Sequence, residues 1–212
     1  MSAAKFIAFE GGEGTGKTTQ SRLLARRLEA EGIALVHTRE PGGTPGAEAI
    51  RDLLLQPPGE GWGAEAEAML FAAARSDHVA KTIRPALVQG QWVICDRFLD
   101  SSRAYQGGAG RLGDAAIRQL HQLGSAGLQP YLTIVIDVDE ARIGDRLKLR
   151  DGESGDAIGS RDAAYHRAVN AAFLDLAQAE PERFAVIDGR GSVDEVAGRI
   201  WSAVASLLDA SR

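Results

Sequence analysis

A parallel five-stranded α/β sheet with helices on both faces is the fold this sequence predicts, on three observations. Short apolar segments alternate with longer helical patterns. The apolar segments are continuous runs, not alternating ones. A glycine-rich loop joins the first segment to the first helix. Continuous runs suit strands buried on both faces, and a strand–helix rhythm favours parallel pairing through helical crossovers. The strand segments are Lys5 to Glu10, Ile33 to Thr38, Gln91 to Asp96, Tyr131 to Val138 and Phe184 to Asp188. Between them, Gly16 to Glu31 carries Leu24 and Leu28 one turn apart, and Ala47, Ile50, Leu53 and Leu54 have helical spacing. Ala66, Met69, Leu70 and Ala73 form a further stripe, read as the core face of its helix. Val193, Val196, Ala197, Ile200, Val204, Leu207 and Leu208 form the last and longest. Gln56 to Gly63, Gln106 to Gly113 and Asp151 to Ser160 read as loops.

Composition narrows the classes. The chain has 212 residues, 44% hydrophobic and 25% charged, which fits one globular domain over residues 1–212. A net charge of −5 argues against a nucleic-acid-binding chain, though a local cationic pocket is compatible with it. A single cysteine, Cys95, excludes an intrachain disulfide and a cysteine-rich zinc site. No apolar run approaches the ~18 residues of a membrane span, and Met1 to Phe9 lacks a secretory pattern, so a cytoplasmic protein without a membrane partner is expected. The 25 glycines pose the question of whether they are filler or a chemical tool.

In such a sheet, ligands bind beyond the carboxyl ends of the strands. There stand Glu10 with the glycine loop, Arg39-Glu40-Pro41-Gly42-Gly43, Asp96-Arg97, and Asp137. Gly11-Gly12-Glu13-Gly14-Thr15-Gly16-Lys17-Thr18 fits G-x-x-x-x-G-K-[ST] without mismatch, between a strand and a helix. Its backbone N–H groups close around phosphate oxygens where a Cβ would obstruct them, and the helix N-terminus adds positive charge. Lys17 can reach the transferred phosphate, and the Thr18 hydroxyl can ligate Mg²⁺. The fold is therefore expected to be of the P-loop NTPase type.

The remaining residues narrow the chemistry. The only asparagine, Asn170, lies in an alanine-rich helix, so the guanine-reading Asn-Lys-x-Asp is absent. The length suits a small kinase. At ~100° per residue, Phe71 lies roughly 150° from the centre of the Ala66/Met69/Leu70/Ala73 stripe, with Arg75 one turn later on the same face. Such a pair can stack on a base and bond its edge, or can pack in a second core. Asp96 can orient Mg²⁺ and Arg97 can neutralise phosphate. Cys95 reads as a buried strand thiol. His37, His78, His121 and His166 lack metal spacing and read as surface or packing residues.

Together, Phe9 to Thr19, Thr38 to Thr44, Leu70 to Arg75, Asp96-Arg97-Phe98 and Asp100 to Gly107 resemble the thymidylate kinase family in order, spacing and identity. The resemblance implies ATP-dependent phosphorylation of dTMP to dTDP, with Mg²⁺ and a homodimer. It casts Phe71 as the thymine-stacking residue, Arg75 as the contact to the base's carbonyl edge, and Ser102 and Gln106 as further base contacts. Tyr105 would lie under the sugar, and Glu13 near the sugar or its phosphate. Arg39, Arg51 and Arg97 would bind the acceptor phosphate, with Glu40 on the acceptor side and Glu10 near Mg²⁺. Gly11, Gly12, Glu13, Gly14, Thr15, Gly16, Lys17, Thr18 and Thr19 would hold ATP.

The variable loop positions contain no base, so the resemblance is to the bacterial type that supplies arginine from a mobile lid. That lid would span about residues 146–161, with Arg146, Lys148 and above all Arg150 as donors of charge. The family's Asp-Arg-apolar-Glu pattern is replaced by Asp156-Ala157-Ile158-Gly159, with Arg161 and Glu153 as candidate substitutes. The rivals are a kinase for another nucleotide or small metabolite, a nucleotide-binding regulatory switch, and a nucleic-acid-binding ATPase, the last disfavoured by the charge.

Overall fold

The computed structural model describes residues 4–138, 157–159 and 161–209. Five strands form one sheet: β1 (Phe6–Glu10), β2 (Leu35–Arg39), β3 (Trp92–Asp96), β4 (Leu132–Asp137) and β5 (Phe184–Asp188), in the order β2-β3-β1-β4-β5 with every pair parallel. Among the described residues the helices are α1 (Lys17–Ala30), α2 (Pro45–Leu55), α3 (Ala64–His78), α4 (Arg84–Val88), α5 (Leu99–Ser102), α6 (Asp114–Ser125), α7 (Ala163–Ala179) and α8 (Val193–Asp209). Two π-helical stretches, Val79–Ile83 and Arg103–Ala109, continue α3 and α5. All five expected strands form, each within about two residues of its expected ends.

Strand periodicity explains the two-faced core. Ile7 and Phe9 of β1 point to one side with Ile94, Ile134 and Ile136, and there meet Leu24 and Leu28 of α1 and Val196, Ile200 and Val204 of α8. Phe6 and Ala8 point to the other side with Val93 and Cys95, against Val79, Ile83, Phe98, Leu99 and Ile117. A third cluster packs Tyr105 and Val135 against Val169 and Phe173 of α7. The central strand β1 is buried at every position, whereas the edge strand β2 is partly exposed along its length. Among the described residues no helix is long and apolar enough to cross a membrane.

Two expectations are corrected. The α3 stripe Ala66/Met69/Leu70/Ala73 is not the core face: Met69 is 54% exposed and Ala73 is exposed. The face turned into the molecule carries Glu67, Ala68, Ala74, Arg75 and His78, because α3 packs between α2 and α6 on that side. Hydropathy ranks methionine above glutamate and arginine, but burial follows whichever face the neighbours cover. The Gln106–Gly113 loop is also partly helical, since Gln106 to Ala109 close the π-helical stretch. Its glycines serve packing, not ligand: a Cβ on Gly108 would come within 2.9 Å of the Ala172 Cβ on α7, and one on Gly107 within 3.3 Å of Ile117.

Candidate active site

The carboxyl ends of β1, β2 and β3 open into a cavity of about 490 Å³, closed at the sides by α2, α3 and the Leu99–Ala109 segment. The loop after β1 turns sharply enough that a Cβ on Gly11 would meet the Ile136 carbonyl oxygen at 2.7 Å. Gly16, at φ 95°, caps α1 in the left-handed region. Gly14, Gly16, Lys17, Thr18, Thr19 and Glu13 line the cavity, while Gly11, Gly12 and Thr15 form the buried base of the loop. Lys17 Nζ donates to the Gly12 carbonyl at 2.5 Å, and burial, with the nearby Arg97 charge, lowers its pKa to about 8. An arriving phosphate offers this ammonium a better partner than a carbonyl.

Beside it, Thr18 Oγ1 donates to Asp96 Oδ2 at 2.5 Å, and both residues line the cavity. One hydroxyl and one carboxylate at the phosphate loop fit Mg²⁺, which binds through few protein oxygens and completes its shell with water and phosphate. Among the described residues no trio of acidic, histidine or cysteine side chains could hold a metal by itself. Glu10 is placed differently from the expectation that put it near Mg²⁺. It does not line the cavity. Its Oε1 accepts from the N–H groups of Phe98 (2.8 Å) and Ser101 (3.0 Å), and its Oε2 from the Ser101 hydroxyl at 2.5 Å. Burial, reinforced by the Asp100 charge, raises its pKa to about 7.

Arg97 adopts φ 68°, a left-handed conformation that non-glycine residues rarely keep without a reason. The twist turns its guanidinium over the phosphate loop, where it donates to the Gly11 carbonyl (3.2 Å), Ser101 Oγ (3.0 Å), Tyr105 OH (3.2 Å) and the Glu13 carboxylate. Burial opposes its charge, but Glu13 together with Tyr105, Glu10 and Asp96 outweighs that and holds the pKa above the ordinary arginine range. Tyr105, pushed up by burial, keeps its proton.

The acceptor wall is built from α2, α3 and the β2 end. Phe71, Ser102, Gln106, Glu40, Arg39 and Arg51 all line the cavity. Arg39 is 53% exposed and grips Glu48 through Nη2, at 2.9 Å to each oxygen. Arg51 donates to the Pro41 carbonyl at 2.8 Å. Arg75 stands behind this surface. Its Nε donates to Glu40 Oε2 (2.8 Å) and its Nη2 to Ser102 Oγ (2.7 Å). His78 bridges Glu40 Oε1 (3.1 Å) and Thr38 Oγ1 (2.7 Å), so it is buried as a packing histidine would be but also braces the Arg75 carboxylate partner.

The sequence reading assigned no role to Glu67, Glu48, Ser101 and Leu55, while Ile158 of the expected lid lines the cavity. Glu67 and Glu48 were detectable as carboxylates on the helices carrying Phe71 and Arg51; the partners of Glu67 are remote in sequence, whereas Glu48 pairs with Arg39 only nine residues away. Arg161 does not face the phosphate loop; its guanidinium bonds Glu67 and the Tyr165 hydroxyl. Arg146, Lys148, Arg150, Glu153 and Asp156, and with them most of the expected lid, lie outside the described residues. A smaller concavity past β4 and β5 is lined by Asp137, Val186, Asp188 and Arg190. It too was missed.

Residues 9–200 match the family model described as thymidylate kinase. The chain is 52% identical over 204 residues to the thymidylate kinase of Rhizorhabdus wittichii, covering 96% of this chain and 98% of that one. It is 47% identical over 203 residues to that of Symbiobacterium thermophilum, covering 96% and 94%. The crystal structure of thymidylate kinase from Ehrlichia chaffeensis superposes with a TM-score of 0.76 at 34% identity, covering 95% of this chain and 99% of that one. A phosphate loop beside an aromatic-lined pocket is thus the inherited plan of a chain that belongs to the thymidylate kinase family.

Proposed function

We propose that the protein catalyses ATP-dependent phosphorylation of dTMP to dTDP. The observation that carries this reading is that one cavity joins the phosphate loop to a pocket holding Phe71, Ser102 and Gln106. A donor triphosphate on the loop and a nucleotide base against Phe71 would then point their phosphates at one another.

The acceptor is a phosphate dianion at neutral pH, so the reaction needs no strong general base. An acceptor phosphate oxygen bonds to the γ-phosphorus, the bond from that phosphorus to the β,γ-bridging oxygen breaks, and ADP leaves. Catalysis is alignment plus relief of charge repulsion. Lys17 leaves the Gly12 carbonyl for the donor phosphates, and Arg97 shifts part of its bonding from Glu13 to the phosphates it faces. Arg39 and Arg51 hold the acceptor phosphate. Arg75, held by Glu40 and Ser102, is assigned to the carbonyl edge of the base. Thr18 and Asp96 would hold Mg²⁺, which would supply positive charge to the donor phosphates. Because the loop carries no base at Gly12 to Thr15, we assign the remaining positive charge to Arg150, with Arg146 and Lys148 beside it in sequence.

The protein is read as a cytoplasmic homodimer. Leu53 on α2, Met69 on α3 and Leu123 on α6 are exposed on three helices that pack side by side, Leu123 at 88%. The activity is tested by ADP release with ATP and Mg²⁺, with and without dTMP. Release that requires dTMP is expected. Slow release indifferent to dTMP would favour a regulatory switch, and a preference for another acceptor in a panel of monophosphates would favour the rival kinase.

A further inference from the structure

Glu67 lies on α3 one turn before Phe71, on the side turned toward the cavity, yet it does not line the cavity itself. Its carboxylate is nearly buried and has two partners. Oε1 accepts from Gln106 Nε2 at 2.8 Å, and Oε2 accepts from the Arg161 guanidinium. Gln106 is also buried, and it forms part of the cavity wall beside Phe71 and Ser102.

A glutamine amide has two ends of nearly equal shape and opposite hydrogen-bonding sense, and its neighbours decide which way it points. An ionised carboxylate only accepts. Turning the Gln106 amide over would press Oε1 against Glu67 Oε1, two acceptors with no hydrogen between them. Nε2 is therefore held on Glu67, and among the described residues no protein donor reaches Oε1. Arg161 completes the arrangement, because its guanidinium donates to Oε2 and leaves Oε1 to accept from Gln106.

Resting on the dTMP kinase reading, we propose that Glu67 is a positioning residue that fixes the Gln106 amide with its oxygen toward the acceptor base. The wall then selects a pyrimidine ring that carries hydrogen on N3. Thymine and uracil offer that N–H to Oε1. Cytosine presents a bare N3 lone pair there and is repelled. An unlocked amide can rotate and present Nε2, which would accept cytosine.

The test compares dTMP and dCMP as acceptors for wild type, Glu67→Gln, Gln106→Leu and the double variant. Glu67→Gln is isosteric but can donate as well as accept, so it frees the amide. KM for dTMP should rise about fivefold to tenfold with kcat within about twofold, as expected for one lost neutral hydrogen bond. The dCMP-to-dTMP ratio of kcat/KM should rise about tenfold. In the Gln106→Leu background, Glu67→Gln should change neither quantity by more than about 1.5-fold, because the residue through which it acts is gone.

A fall in kcat with unchanged KM and unchanged ratio overturns the proposal, as does full additivity in the double variant. Should Glu67→Gln fail to fold, Arg161→Met reads the same lock from its other side. A rise in the ratio of about threefold supports the proposal and an unchanged ratio overturns it. A wild type whose ADP release ignores dTMP overturns the kinase reading, and the positioning role with it. A dTMP-dependent wild type whose variants keep the ratio overturns the positioning role alone.

Discussion

Arg97 and Arg103 stand on the same stretch of chain and have opposite surroundings. Arg103 is sealed away at 2% side-chain exposure. It donates to Asp100 (2.9 Å), Asp114 (2.6 Å) and Glu180 (2.7 Å), and Asp100 is shared with Arg183 and with Thr133 of β4. Every partner there is another part of the fold, and none of them lines the cavity. Arg97 is 15% exposed and faces the cavity, with partners that include a carboxylate and a hydroxyl also lining it. Those contacts are replaceable by phosphate. Two arginines with comparable bond counts thus do different work: one ties the β4–β5 edge to the Leu99–Ala109 segment, and the other waits over the phosphate loop. Whether the partners line the cavity, not their number or their exposure, separates a structural arginine from a chemical one.

The largest effect is expected at the front cluster. Lys17→Ala should lower turnover by about 10³-fold or more and leave the melting temperature near that of wild type, because the buried ammonium is itself disfavoured by desolvation. A steady-state assay beside a thermal melt checks both, and normal turnover would remove Lys17 from the chemistry.

At the rear cluster the pattern reverses. Asp100→Asn leaves Arg103 and Arg183 without their shared buried charge, and chemical denaturation should show a loss of roughly 3 kcal/mol. Activity per folded molecule should stay close to wild type. Comparable stability with collapsed kcat would contradict the division between the two clusters.

Phe71→Ala comes next. Losing a base–aromatic stack should weaken dTMP by about 2 kcal/mol, roughly 30-fold. ATP affinity should change little, and calorimetric titration of each nucleotide separates the two. Equal weakening of both would argue that Phe71 only packs.

A pH slope tests the loop that Glu10 supports. The Glu10 pKa is raised from 4.5 to about 7 in the folded state. Between those values the folded protein holds a proton that the unfolded chain has released, so stability should fall as pH rises from about 4.5 to about 7. Glu10→Gln should flatten that segment of the stability–pH curve. A slope unchanged by the substitution would place the proton elsewhere.

How much was legible in the sequence varies with how local each feature is. All five strands and the phosphate loop were, because β1 is a run of apolar residues and the loop places its working atoms within consecutive residues. Phe71 was found as the aromatic off the apolar stripe. The stripe itself was assigned to the wrong environment, because hydropathy does not distinguish a face covered by the chain's own helices from one left open. The Arg75–Glu40–His78–Thr38 chain was invisible, since it joins α3 to the β2 end across dozens of residues. Arg161 was considered for the donor side and instead bonds Glu67.

The sequence by itself determined the phosphate loop, the parallel sheet and the nucleotide chemistry. These rest on short-range spacing and on the alternation of apolar and helical segments, which are properties of neighbouring residues. The 25 glycines are divided by the same logic. Those of Gly11 to Gly16 shape a ligand loop, while Gly107 and Gly108 let α7 and α6 approach, a use that depends on a partner remote in sequence. Only the tertiary structure decided which face of α3 is buried, which arginine faces the cavity, and that Glu67 rather than a ligand holds the Gln106 amide. Each of those outcomes is set by elements far apart in the chain that meet only when the core closes, and charge and hydrogen-bond partners are chosen at that moment.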